Sequence, residues 1–166
     1  MMAFTVEDGT GLTNSNALID AAFADAYFAD RGIVAWTGDT VTIKQPAIIR
    51  ATDYLCNRFT FIGELYSEDQ ALAFPRTYDY LDAPEMPIRM KQAVAEYALR
   101  ALTQTLAPDP VVSDTGGQVI EKREKLGPLE EQTRYAEGVA NAVLRPYPAA
   151  DMLLRGLIDN ARRVIR

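Results

Sequence analysis

Apolar residues recur at spacings of three and four in four separate stretches, and each stretch predicts a helix. The first runs from Asp20 to about Arg31, with Ala21, Phe23, Ala24, Tyr27 and Phe28 on its apolar side and Asp25 and Asp30 outward. Asp20 is a good N-cap residue, and Gly32 is the expected C-terminal stop. The second covers about 44 to 59. There Ile48, Ala51, Leu55 and Phe59 share one face, while Arg50, Asp53 and Asn57 fall largely on another. Pro46 is placed in its first turn, where a missing N–H leaves nothing unpaired. The third and longest begins near Pro84 or Pro87 and ends at Leu106. Between Ala93 and Leu102 only Glu96 and Arg100 are charged, so this helix is apolar over most of its circumference and belongs at the centre of the fold. The fourth spans about Pro148 to Val164, and its arginine-rich last turn complements the helix dipole.

The connecting stretches have their own signals. Residues 3–17 are rich in Gly, Asn and Thr, with Phe4 and Val6 ahead of an Asp8-Gly9 turn, and predict an extended arm or hairpin. The loop 32–43 carries the single tryptophan, Trp36, which plugs a core edge or serves a subunit interface. Gly63 breaks the second helix, and a polar loop leads to Leu72-Ala73-Phe74-Pro75-Arg76. Pro75 disfavours helical geometry at Phe74. Phe74, Pro75 and Arg76, with Tyr78 and Tyr80 of the linker that follows, are anchor or subunit-interface candidates. Val119 to Leu126, a Gly127-Pro128 turn and Leu129 to Tyr135 predict a β-hairpin. The expected fold is mainly α, a small bundle of about four helices with a β-hairpin and an extended N-terminal arm. A single domain over 1–166 divides into the arm (1–17), a helical core (18–107), the hairpin (115–136) and a C-terminal helix (147–166).

Composition narrows the function. At 48% hydrophobic and 24% charged residues, the chain has the material for an ordinary globular core. No apolar run approaches the roughly 20 residues of a membrane span, and the acidic start MMAFTVEDG does not have the pattern of a signal peptide. Histidine is absent, which removes the commonest general base and metal ligand. The lone Cys56 builds neither a disulfide nor a zinc site and suits a small core residue. Gly9-Thr10-Gly11 is not followed by the Lys-Ser/Thr of a phosphate loop. The expectation is a non-enzymatic module with no catalytic, cofactor-binding or metal residues. A net charge of −6 opposes general nucleic-acid binding, and Glu121 and Glu124 interrupt the basic run Lys122-Arg123-Lys125. Acidic residues load the first forty positions, and Arg145, Arg155, Arg162, Arg163 and Arg166 load the end. Such asymmetry suits head-to-tail contacts, and it equally suits two solvated faces.

The stretches VEDGTGLTNSNALIDAAFADAYFADRG (6–32), IIRATDYLCNRFTFIGELYSEDQALAFPR (48–76), VIEKREKLGPLEEQTRY and YPAADMLLRGLI resemble a family of tailed-phage proteins. Its members are known as head–tail connectors (adaptors or neck proteins) or as DnaT-like single-stranded-DNA-binding proteins. The resemblance covers nearly the whole chain; Phe74 stands where many relatives have tryptophan. It implies a helical protein of the virion neck, assembled in the host cytoplasm as a homo-oligomeric ring, commonly of twelve copies. The ring bridges the portal protein and a stopper or tail-completion protein, with genomic double-stranded DNA passing through the channel without specific binding, and with no membrane or cofactor involved. On that reading Arg155, Arg162, Arg163 and Arg166 are candidates for the portal contact. The alternative implied by the resemblance is a DnaT-like single-stranded-DNA-binding or replication accessory protein. Stacking platforms for single strands interleave aromatics with basic residues. Here Phe59, Phe61, Tyr66, Phe74, Tyr78 and Tyr80 have only Arg58 and Arg76 near them, which weighs toward the connector.

Overall fold

Two antiparallel-running helical stretches of sequence, one ending at Arg58 and one beginning at Ile88, supply the most extensive helix–helix packing in the protein. The computed structural model describes residues 3–78, 84–108, 119–125, 130–135 and 146–159, with backbone pairing alone for 119–125 and 130–135. The chain forms two compact units, Met1–Leu106 with Pro146–Arg166, and Ala107–Arg145. The first holds helices α1 (Ala21–Ala29), α2 (Val34–Thr37), α3 (Val41–Arg58), α4 (Ile88–Thr103) and α5 (Pro148–Leu153), and a ribbon of β1 (Glu64–Leu65) and β2 (Arg76–Thr77). The second holds an antiparallel hairpin of β3 (Val119–Lys125) and β4 (Glu130–Tyr135). The fold is thus mainly helical with a small antiparallel hairpin, as the pattern predicts.

The core explains α3 and α4. Ala47, Ile48, Ala51 and Leu55 of α3 and Met90, Ala93, Val94, Tyr97 and Ala98 of α4 are all fully buried. Alanines at helical spacing let the backbones approach closely, and the larger side chains fill the remaining volume. Side chains also bridge elements through backbone groups. Leu18 N–H donates to the buried Thr52 hydroxyl at 3.3 Å, and Arg50 Nη2 donates to Ala101 O at 2.7 Å. At α1 the Asp20 carboxylate accepts from Phe23 N–H at 2.7 Å, the cap the sequence predicts. Gly32, at φ +65°, turns the chain out of the helix.

Several boundaries differ from the pattern. The loop 32–43 contains α2, and α3 begins at Val41. Pro46 therefore lies inside α3 and not in its first turn. Val41 and Ile43 are exposed, so no apolar face announces this added turn. At eighteen residues α3, and not the sixteen-residue α4, is the longest helix. The apolar Ile88 at the start of α4 is 56% exposed and outside the core. The C-terminal helix ends at Leu153, because Gly156 takes φ +91° and redirects the chain. Ile158 then pairs antiparallel with Phe61, with Ile62 N–H on Leu157 O and Asp159 N–H on Thr60 O. The rest of the expected helix, through Val164, lies outside the described residues, as do the 136–144 stretch and Tyr80.

The N-terminal segment is not a free arm. Thr5 O accepts from Asn16 and Ala17, and Glu7 N–H donates to Ala17 O at 2.8 Å, so the segment closes on itself. Phe4 and Val6 pack against the core. The cause is Glu7, 5% exposed, whose Oε1 accepts from Gly9 and Gly11 N–H and whose Oε2 accepts from Leu12 N–H and the Ser15 hydroxyl, at 2.9–3.0 Å. A buried carboxylate must be fully hydrogen-bonded, and the loop supplies all the donors.

Candidate interaction surfaces

The densest polar cluster lies where α3, α4 and α5 meet. Tyr97 on α4 donates its hydroxyl to Asp151 Oδ1 on α5. Arg58, at the end of α3, reaches Asp151 Oδ2 at 3.5 Å, the Tyr54 hydroxyl at 2.9 Å and the Tyr97 hydroxyl at 3.4 Å. Asp151 Oδ2 also accepts from Tyr147 N–H at 3.0 Å, at the start of its own helix. The rings of Tyr54, Tyr97 and Tyr147 pack edge to face with centroids 5.3–6.2 Å apart. Burial and the Asp151 carboxylate push the Tyr97 hydroxyl above the usual tyrosine range. It is held as a proton donor and is no base. Each polar atom named here is spent on a neighbour within the protein, so the cluster works as a joint between helices.

A second polar group surrounds Trp36. The indole N–H and Lys44 Nζ both lie 2.8 Å from Asp25 Oδ1, and Lys44 stands 5.6 Å from the Trp36 ring centroid. Trp36 is fully buried and packs on Phe28 at 5.2 Å. Its place is inside the chain, at the contact of α1, α2 and α3. Phe74 and Pro75 are likewise fully buried, with Phe74 edge-on to Phe61 at 5.0 Å. Arg76 crosses the neck of the loop between them, giving Nε to Ile62 O at 2.8 Å, Nη1 to Ala73 O at 3.2 Å and Nη2 to Gly63 O at 2.5 Å. Burial lowers the pKa of this guanidinium, which still remains charged. Tyr78 is 7% exposed. Phe74, Pro75, Arg76 and Tyr78 together hold the 63–77 loop to the core.

Arg155 is exposed just past α5, whereas Arg162, Arg163 and Arg166 lie outside the described residues. Among the described residues no group of three or more His, Cys, Asp or Glu is arranged to hold a metal. Burial pushes the Cys56 thiol up to about 11, so it is no nucleophile near neutral pH. Among the described aromatics Tyr66 is the most exposed, at 47%, and it stands in a run with exposed Glu64, Glu68 and Asp69. Val34 of α2 and Val41 and Ile43 of α3 are exposed large hydrophobics, at 75%, 52% and 49%.

A family model described as "Putative DnaT-like ssDNA binding protein" matches residues 2–166. The chain belongs to this DnaT-like family. No curated protein and no solved structure matches it.

The DnaT-like chain holds three polar sites, and its sequence does not reveal two of them. Lys44 reads as a solvated residue of α3, since a single lysine carries no sign of its partner Asp25 nineteen positions away. Asp151 and Arg58 are ninety-three positions apart. Glu7 does carry a signal, the Gly9 and Gly11 that follow it, because both take positive φ and bring their N–H groups to one carboxylate.

Proposed function

We propose that the protein is a structural, non-enzymatic connector of the head–tail neck of a phage particle. It assembles as a homo-oligomeric ring between a portal and a stopper or tail-completion protein, and duplex DNA passes through the ring. The observation that carries this reading over DNA binding is Tyr66. It is the exposed aromatic of the described surface, and three exposed carboxylates share its loop. A stacking platform for single strands needs cations at that place. The other described aromatics lie within or against the core, while Val34, Val41 and Ile43 are exposed, which suits protein partners. The resemblance to tailed-phage connectors supports the same reading.

The family description favours a second reading, a single-stranded-DNA-binding accessory protein. One pair of measurements separates the two. Sedimentation velocity of the purified chain should show concentration-dependent assembly, and a fluorescent oligonucleotide should bind only weakly at about 150 mM salt. Submicromolar oligonucleotide binding at that salt, with affinity falling steeply as salt rises, overturns the connector in favour of the accessory protein. The portal contact is assigned to Arg155, Arg162, Arg163 and Arg166. Truncation after Asp159 tests the last three while keeping buried Leu154 and the pairing of Ile158 with Phe61. The truncated chain should fold and be missing from necks.

A further inference from the structure

We propose that the outer edge of β3 pairs antiparallel with the β3 edge of a second copy of this chain, joining two hairpins in one four-stranded sheet of order β4–β3–β3–β4. The inference goes beyond the connector reading and does not depend on it.

Among the described residues β3 and β4 pair only with each other. A two-stranded hairpin is marginally stable by itself, and its outer edges present backbone N–H and C=O groups to which a further strand can add. The order of charges along β3 selects the occupant. Charge on an edge strand ordinarily discourages pairing. Glu121-Lys122-Arg123-Glu124-Lys125, however, is nearly its own complement when read backwards. In an antiparallel pair centred on Arg123, Glu121 stands opposite Lys125 of the second copy, and Lys122 stands opposite Glu124 of the second copy. The two-fold symmetry makes each of these pairings twice. Arg123 alone meets its like.

The register of the hairpin supports the same pairing. It sets Glu121 against Arg134, Lys125 against Glu130 and Glu124 against Glu131. Across the joined strands one row then reads Arg134, Glu121, Lys125, Glu130, with the sign of the charge alternating at every step. The next row places Lys122 of one copy beside Glu124 of the other. Like charges directly opposite are destabilising, and this lysine offsets the Glu124–Glu131 position that the hairpin alone leaves like against like. β4 offers less. No antiparallel register of β4, on itself or on β3 of the second copy, sets more than two opposite charges against each other, whereas β3 on β3 sets four. A contact between identical edges is isologous and closes at two copies.

The test uses the full chain in sedimentation velocity over a wide concentration range. The wild type should form a species of twice the chain mass. Lys122→Glu and Glu124→Lys should each weaken this dimer about tenfold. Glu124→Lys is the sharper of the two, since it removes the like pair within the hairpin and still opposes the dimer. An equimolar mixture of the two variants should regain the dimer, because each then meets its opposite. Arg123→Thr should strengthen it about threefold by removing the like pair on the two-fold axis. Circular dichroism of each variant should match the wild type, which separates loss of pairing from loss of folding. A wild type that shows no dimer at any concentration, or a dimer indifferent to these substitutions, overturns the inference. Species larger than a dimer report the ring of the connector reading, so the two fail separately.

Discussion

The Tyr97 hydroxyl donates to Asp151 Oδ1, and this hydrogen bond ties α4 to α5. The other oxygen of Asp151 is shared by Arg58 and by Tyr147 N–H. Removing one end therefore has unequal costs. Tyr97→Phe deletes one donor and leaves Asp151 with its remaining partners, so about 1–2 kcal/mol of stability should be lost. Asp151→Ala strands the Arg58 guanidinium and the Tyr97 hydroxyl together and should cost about 2–4 kcal/mol. In urea unfolding, the double variant should lose less than the sum of the singles, with a coupling near 1 kcal/mol. Strict additivity means that the two side chains do not act as one joint.

Glu7 organises residues 5–17 through four donors, and its replacement should be felt there first. Glu7→Gln keeps the size of the side chain but turns an amide NH₂ toward groups that are themselves donors. The conservative variant should thus lose nearly as much as Glu7→Ala, about 2–3 kcal/mol in each case. Hydrogen exchange at the amides of Gly9, Gly11 and Leu12 should accelerate more than exchange in α4. A Gln variant as stable as the wild type contradicts the clamp.

Periodicity revealed α1, α3 and α4 because each buries a stripe at helical spacing, and the alternation and turn at 119–135 revealed the hairpin. It did not reveal the first turn of α3, where exposed Val41 and Ile43 follow no buried face, or α2, whose four residues are too few for a period. The apolar pattern outruns α5 because Leu157 and Ile158 continue it past Gly156. The backbone turns there, and these residues bury their apolar surface beside Thr60–Ile62 instead. Phe74, Pro75 and Arg76 were legible as a fixed loop. Their buried position was not, since an aromatic beside proline and arginine looks the same in a core as at an interface.

Gly63 closes the loop that Arg76 spans, and two separate features require glycine. Its φ is +77°, and an added Cβ would stand 2.4 Å from Thr77 O and 2.9 Å from the Tyr78 ring. Gly32 has φ +65° with no atom within 4 Å of such a Cβ. Gly32→Ala should therefore cost about 1 kcal/mol, the backbone term alone. Gly63→Ala should cost clearly more, about 3 kcal/mol or above, because the β1–β2 ribbon must separate. Thermal unfolding of the two variants side by side decides the matter, and equal losses would mean that the ribbon yields without resistance.

Cys56 gives the chain a stability that falls in alkali. Burial pushes its thiol from an ordinary 9.0 up to about 11. Between those values the unfolded chain has released the proton and the folded chain still holds it. The folded state then binds more protons, so stability declines as pH rises. The contribution is fully present below pH 9 and lost by about pH 11, a total of roughly 2–3 kcal/mol. Buried tyrosines such as Tyr97 titrate in the same direction at still higher pH, so the comparison must be made against a variant. Cys56→Ala removes the thiol and carries a packing loss that does not depend on pH. Urea unfolding at pH 7 and pH 10 should show the wild type's advantage shrinking, or the variant overtaking it, by about 1.4 kcal/mol at the higher pH. A gap that stays constant between the two would place the thiol in solvent, where it should also react with a disulfide reagent at neutral pH as fast as a free cysteine does.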